Sequence, residues 1–88
     1  MVEPVAVPNE QIVFTEFDGV EGILVDLNTK KYYQLNETAM LVWKALEKRK
    51  TLPDIVAEVT EAYDVTAEVA ARSIERVLEH MRRYKLVS

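Results

Sequence analysis

The chain has 88 residues, 49% of them hydrophobic, which suits one small domain with a modest core. It contains no cysteine, so a disulfide framework, a thiolate metal site and a thiol nucleophile are excluded. The formal net charge of −4 argues against nucleic acid as a partner. No apolar run approaches the roughly 20 residues of a membrane span, and the first residues lack the features of a secretion signal. We therefore expect a cytoplasmic protein without a membrane partner.

The first half of the chain predicts a flexible arm and then three short antiparallel strands. Residues 1–10 carry two prolines among small and polar residues, which is typical of a poorly ordered arm before a domain at 11–88. Residues 11–17 are rich in β-branched and aromatic residues and end at an Asp-Gly turn signal. Residues 23–27 and 31–35 follow, with a polar turn between them. Both connections are short enough for hairpins.

Three helices are predicted after the strands, and each follows a residue that suits an N-cap. Asn36, Thr51 and Thr66 carry side-chain oxygens that can accept a backbone N–H of the first helical turn. Apolar residues then recur at i, i+3, i+4 and i+7, which indicates one buried face in each helix. These faces comprise Ala39, Val42, Trp43 and Leu46; Leu52, Ile55, Val56 and Val59; and Ala70, Ile74, Val77, Leu78 and Met81. The third helix should end near Tyr84, with residues 86–87 returning to the core as a strand or tail. The order predicts an α+β, winged-helix-like fold, a three-stranded antiparallel sheet followed by three helices.

The third predicted strand is the most informative stretch. Its alternation places Tyr33 and Leu35 on one face and Tyr32 and Gln34 on the other. Tyr33 and Leu35 favour the core, whereas Tyr32 fits a groove or an exposed strand equally well. A short last strand can leave one sheet edge open, and an open edge is a template for an added strand. A peptide that is disordered when free suits this mode of binding.

The third helix could supply a second wall for a groove beside that strand. On a helical wheel, Val69, Ser73 and His80 lie between the core face that bears Val77 and a cationic stripe. The stripe comprises Arg72, Arg76 and Arg83. These arginines could bind acidic peptide residues, or they could form a solvated face paired with glutamates of the same helix. The predicted peptide-binding residues are Lys30, Lys31, Tyr32, Tyr33, Gln34, Leu35, Val69, Arg72, Ser73, Arg76, Val77 and His80.

Several of these residues carry a family resemblance. The run from Val25 to Asn36 is similar to the strand-turn-strand signature of the PqqD-like family, the recognition elements for ribosomally synthesised precursor peptides. The similarity continues through Ala39, Trp43, the Ile55-Val56 helix and the Tyr63-Asp64-Val65 break, and covers roughly residues 12–87. It implies a cofactor-free protein that is not an enzyme. Such a domain binds the leader segment of a precursor peptide as an extra strand against its third strand, beside its third helix. It then presents the leader to a maturation enzyme.

The sequence departs from this family in two places. The quinone-cofactor members carry a Pro-Glu-Gly type turn, where this chain has residues 28–30, Asn-Thr-Lys. This difference favours a stand-alone recognition protein of a lasso-peptide cluster, beside a separate leader peptidase and a cyclase. Many members also have glycine where the third helix ends, whereas Tyr84 and Lys85 stand there in this chain. A residue other than glycine would then have to adopt the helix-terminating conformation.

Other functions fit the sequence less well. Residues 26–37 place Asp, Asn and Glu at calcium-loop positions, but lysines fall on a ligand position and on the glycine position, which excludes Ca²⁺. His80 is the only histidine and has no evident partners for catalysis or for a metal ion. We therefore predict no catalytic and no metal-binding residue. A winged-helix DNA-binding regulator and a dimerising interaction domain are the alternatives.

Overall fold

A computed structural model describes residues 5–19 and 21–88 of the chain. Three strands precede three helices in the sequence, and the strands form one antiparallel sheet in the order β1-β2-β3. The α+β architecture predicted from the sequence is thereby confirmed. The elements are β1 (Ile12–Phe17), β2 (Glu21–Asp26), β3 (Tyr32–Leu35), α1 (Glu37–Glu47), α2 (Leu52–Ala62) and α3 (Ala67–Arg83).

Strand β2 begins two residues earlier than the sequence pattern suggested. Glu21 lies opposite Phe17, and Gly22 lies opposite Glu16, so the ladder continues up to the turn between β1 and β2. At Gly22 an added Cβ would lie 2.6 Å from Cε1 of Phe14 and 3.2 Å from the sulfur of Met40. Any larger residue at this position would therefore require the ring of Phe14 to shift, because this ring packs directly on the backbone.

The hydrogen bonds at the end of β2 show which of its residues direct their N–H and C=O groups toward β1 and which toward β3. The Leu27 N–H donates to the Gln11 carbonyl at 2.9 Å, toward β1, and the Asp26 N–H donates to the Lys31 carbonyl at 2.8 Å, toward β3. Backbone groups alternate in direction along a strand. The odd-numbered residues of β2 thus bond to β1, and the even-numbered residues bond to β3.

The turn between β2 and β3 is closed by a buried carboxylate. Asp26 is 4% exposed, and its Oδ1 accepts the N–H groups of Asn28 at 2.9 Å and Thr29 at 3.2 Å. Lys30 has φ of 65° and donates its N–H to the Asp26 carbonyl at 2.8 Å. Aspartate suits this position because its side chain satisfies two turn amides.

Each helix begins at the residue that the sequence indicated. Oδ1 of Asn36 accepts the Ala39 N–H at 2.8 Å, and the hydroxyls of Thr51 and Thr66 accept the corresponding amides of α2 and α3. The three apolar faces meet in one core with the inner face of the sheet. Its largest fully buried side chains are Trp43, Leu24, Leu46, Ile55, Ile74, Leu78 and Val42.

Helix α3 ends without glycine, as the sequence required. Lys85 takes the left-handed conformation, with φ of 56°. The Lys85 N–H donates to the Arg82 carbonyl at 3.0 Å, and the Leu86 N–H donates to the Met81 carbonyl at 2.8 Å. These two bonds form a Schellman motif, and buried Leu86 and Met81 supply its apolar contact.

Part of the arm expected over residues 1–10 is described in the structure, from residue 5 onward. Residues 1–4 lie outside the described part of the chain, and residues 5–9 run beside the C-terminus. Pro8 forms an antiparallel bridge with Val87, and Ala6 is only 3% exposed. Residues 5–9 are thus placed beside the C-terminal residues by long-range contacts, which local sequence does not encode. Within residues 5–19 and 21–88, no helix is both long and apolar enough to cross a membrane.

Candidate functional site

Strand β3 presents an open edge. In the described part of the chain, β2 lies on one side of β3, and no strand lies on the other. Since Asp26 and Lys31 share a hydrogen bond, alternation directs the backbone groups of Tyr33 and Leu35 into the sheet. The N–H and C=O groups of Tyr32 and Gln34 therefore point outward. Two residues thus offer four backbone groups to a further strand.

The side chains of β3 divide as the alternation predicted. Leu35 is buried and Tyr33 is half-buried against the helices, whereas Tyr32 is 74% exposed on the outer face of the sheet. The ring of Tyr33 packs on that of Tyr84, with 5.1 Å between the centroids and 37° between the planes. This contact joins the middle of β3 to the end of α3.

A groove of about 440 Å³ lies between β3 and α3, and we call it the β3–α3 groove. Apolar and aromatic residues make up most of its lining, with His80 as a polar residue on the helix side. The lining residues are Tyr32, Tyr33, Gln34, Leu35, Asn36, Ala39, Val77, His80, Met81, Tyr84 and Leu86. A groove of this composition suits an apolar side chain of a ligand.

Two smaller hollows extend the β3–α3 groove along the strand. The turn-side hollow, of about 380 Å³, is lined by Gln11, Asp26, Asn28, Thr29, Lys31, Tyr33, Arg83, Tyr84 and Lys85. The α1-side hollow, of about 320 Å³, is lined by Glu21, Gln34, Leu35 and Asn36. Each shares lining residues with the groove, so the three form one track, which we call the edge track.

The edge track brings together seven of the twelve residues predicted from the sequence. Six line the β3–α3 groove, namely Tyr32, Tyr33, Gln34, Leu35, Val77 and His80, and Lys31 lines the turn-side hollow. The remaining five, Lys30, Val69, Arg72, Ser73 and Arg76, line none of the three hollows. The groove therefore lies beside the C-terminal half of α3, whereas the prediction extended to its N-terminal half.

Arg72 is engaged within its own helix. Its Nη2 lies 2.6 Å from Oε1 of Glu68, one turn earlier, and both side chains are largely exposed. Arg83 forms a similar pair, in which its Nη2 lies 3.6 Å from Oε1 of Glu79. These are i, i+4 pairs of a solvated helix face, and Arg83 also reaches the turn-side hollow.

Sequence reasoning did not include five lining residues, Asn36, Ala39, Met81, Tyr84 and Leu86. For Tyr84 a signal was available, because it lies seven residues after Val77 and four after His80, on the same face of α3. Because the helix was expected to end near Tyr84, this residue was not included among the predicted groove residues. In the described residues, no three His, Asp or Glu side chains are placed to hold one metal ion.

The fold and the track define a class of α+β domain in which an open strand edge runs beside a helix and leaves room for an extended chain. The family of coenzyme PQQ synthesis protein D (PqqD) matches residues 21–87, so the chain belongs to this family. The family resemblance recognised in the sequence is thereby confirmed. A comparison with curated proteins finds no match.

Two solved structures share the fold. One is TbiB1 in complex with the TbiA(beta) leader peptide, with a TM-score of 0.86, 23% identity, and coverage of 93% of this chain and 94% of that chain. The other is lasso peptide synthetase B1 complexed with the leader peptide, with a TM-score of 0.85 and 23% identity. The similarity covers 94% of this chain and 96% of that chain. The whole described domain thus has the architecture of these two proteins.

Proposed function

We propose that this chain binds the leader segment of a ribosomally synthesised precursor peptide and presents it to a maturation enzyme such as a leader peptidase. Lasso-peptide biosynthesis is the favoured setting, because the two similar structures described above are leader-peptide complexes and one is a lasso peptide synthetase B1. The observation that carries the proposal is the open edge of β3 beside the β3–α3 groove. The leader adds as a fourth strand along this edge.

Each part of the site has a physical task in this function. The outward backbone groups of Tyr32 and Gln34 bond to the leader main chain, which gives affinity with little dependence on sequence. The β3–α3 groove accepts an apolar leader side chain, which gives selectivity. The contact between Tyr33 and Tyr84 holds the strand and the helix at the spacing that the groove requires. A short edge strand alone would bind weakly, so the groove is needed as well.

The chain acts on the leader by binding alone. Its role is to raise the local concentration of the precursor at a separate enzyme, since tethering converts a second encounter into an intramolecular event. We therefore infer that the protein is not an enzyme. Incubation of the isolated chain with the precursor should leave the mass of the peptide unchanged, and cleavage or modification would contradict this inference.

The test uses the leader peptide encoded by the precursor gene beside this one. Titration into labelled protein should shift the amide resonances of Tyr32 and Gln34 and slow their hydrogen exchange, because these N–H groups become bonded. The core segment of the same precursor serves as the control and should leave both amides unchanged. Absence of leader binding, or binding that leaves these amides untouched, would overturn the proposal.

Presentation is tested separately from binding. The partner peptidase of the same cluster should process the precursor faster when this chain is present, and a leader fragment added in excess should remove the acceleration. Equal rates with and without the chain would restrict its role to leader binding and contradict the second half of the proposal.

A further inference from the structure

We propose that the turn-side hollow is a carboxylate subsite, which takes an acidic residue of the bound peptide on the C-terminal side of its apolar anchor. The proposal rests on the proposed leader binding and specifies the chemistry of that ligand. It follows from how charge is distributed along the edge track.

Cations gather at one end of the track. Lys31, Arg83 and Lys85 all line the turn-side hollow. The salt bridges of the described residues include neither Lys31 nor Lys85, and Arg83 has only a long, exposed contact with Glu79 at 3.6 Å. These side chains are therefore available to a carboxylate ligand, and charge-assisted hydrogen bonds to it would be short and strong.

The one carboxylate in the lining of this hollow does not neutralise these cations by direct pairing. Asp26 is 4% exposed, and its Oδ1 is occupied by the N–H groups of Asn28 and Thr29. It serves the turn between β2 and β3. The opposite end of the track has the reverse character, because the α1-side hollow contains Glu21 and no cation. The track is thus polarised along β3.

The location is unusual for a protein of this composition. The chain carries 15 acidic and 11 basic residues, so its overall field repels an acidic peptide. A local cationic group at the end of an apolar groove is then a selective feature. The cations favour an acidic residue at this end of the track, and the overall negative charge of the protein disfavours one elsewhere along it.

Strand geometry, together with this charge distribution, predicts the direction of the bound peptide and the spacing between its apolar anchor and its acidic residue. Antiparallel pairing is the slightly more stable arrangement, and it directs the C-terminal side of an added strand toward Lys31, the start of the β3 edge. Side chains on one face of a strand recur every second residue. The acidic residue is therefore expected two or four positions after the residue that fills the β3–α3 groove.

The experiment uses the full chain and the leader peptide of the neighbouring precursor gene. Each acidic residue of the leader is replaced in turn by its amide, and binding is measured at low and at physiological salt. One replacement, two or four residues after the apolar anchor, should weaken binding about 3- to 10-fold at low salt, and less at high salt, because the hollow is open to solvent.

Protein variants assign that effect to the subsite. Lys31→Glu and Lys85→Glu should each weaken binding of the parent leader and restore binding of a leader that carries lysine at the acidic position. Lys48→Glu, the same charge change at an exposed residue outside the track, is the matched control and should have little effect. The charge swap gives a readout that a loss of folding would not produce.

The outcomes separate this proposal from the proposed function. If the amide-substituted leaders bind as tightly as the parent and still shift Tyr32 and Gln34, the subsite does not exist, while leader binding stands. If Lys48→Glu weakens binding as much as Lys31→Glu, only the overall charge matters, and the subsite is again rejected. If neither the parent leader nor any of its variants binds, both the subsite and the proposed leader binding are rejected.

Discussion

At the scale of single residues, several polar side chains have tasks that local sequence alone would not reveal. Tyr63 follows α2 and lies beside the start of α1, where its phenol is close to the side chains of Glu37 and Thr38. Burial raises the pKa of the Tyr63 phenol above its usual value, and the nearby Glu37 carboxylate raises this pKa further, while Thr38 opposes the shift. This residue links the end of one helix to the beginning of another.

The raised pKa of Tyr63 gives a prediction with a definite sign. Near pH 10 the unfolded chain releases this phenol proton, while the folded chain retains it to higher pH. The contribution of this pKa shift to the free energy of unfolding is therefore complete below pH 10, and it is lost as the pH rises through the pKa of Tyr63 in the folded protein. Urea unfolding of the parent and of Tyr63→Phe, measured from pH 8 to 11, should show the difference in their free energies of unfolding shrink above pH 10. The exposed Tyr32→Phe is the control, and a difference that grows with pH would contradict the assignment.

At the scale of elements, the proposed function depends on the orientation of one strand. β3 has only four residues, and two of them direct their backbone groups outward. The adjoining helix contributes its C-terminal half, from Val77 to Tyr84, and not its whole length. The recognition surface is therefore compact, and changes to single backbone groups should be measurable.

Proline substitution distinguishes the two edges of β3. Tyr32→Pro removes an outward N–H, so it should weaken leader binding by about 1–3 kcal/mol and leave the fold largely intact, because one ligand carbonyl loses its partner. Tyr33→Pro removes an inward N–H of the ladder with β2. It should lower the free energy of unfolding by a similar amount, in addition to the loss of the contact with Tyr84.

Alanine variants at the same two positions control for the loss of each side chain. Binding is measured by calorimetry and stability by urea unfolding. A DNA-binding domain would show no selective loss of peptide affinity in Tyr32→Pro. If both proline variants fold and bind the leader as the parent does, β3 is not the docking edge.

At the scale of the whole molecule, residues 5–9 pack against the C-terminal residues near the site. Val7 and Ser88 exchange two backbone hydrogen bonds, of 3.3 and 2.8 Å, and Ala6 lies in the core beside the C-terminal residues. The same C-terminal segment supplies Leu86 to the β3–α3 groove. The N-terminal residues thus support the groove wall through the C-terminus.

Overpacking at Ala6 tests this support. Ala6→Leu should destabilise the protein by about 1–3 kcal/mol, because a well-packed core does not accept three further carbon atoms without strain. Ala57→Leu, at an exposed alanine of α2, is the matched control and should change stability by less than about 0.5 kcal/mol. Thermal or urea unfolding measures both, and equal stability of Ala6→Leu and the parent would show that the N-terminal segment does not pack there.

The sequence by itself determined the elements of this protein and the faces of its strands and helices. Alternation in β3, the caps at Asn36, Thr51 and Thr66, and the apolar helical faces all depend on periods of two and 3.6 residues, which are local. The left-handed residue after α3 was also predictable, since some residue had to terminate that helix, and Lys85 does so.

Only the tertiary structure decided which part of α3 borders β3 and which backbone groups of β3 face outward. Both depend on how the helix crosses the sheet and on the register of the ladder, and these are set by long-range packing. For the same reason Val69, Arg72 and Arg76 lie outside the edge track, although they share a helix with Val77 and His80. The cationic end of the track likewise exists only because the turn after β2 and the end of α3 meet in space.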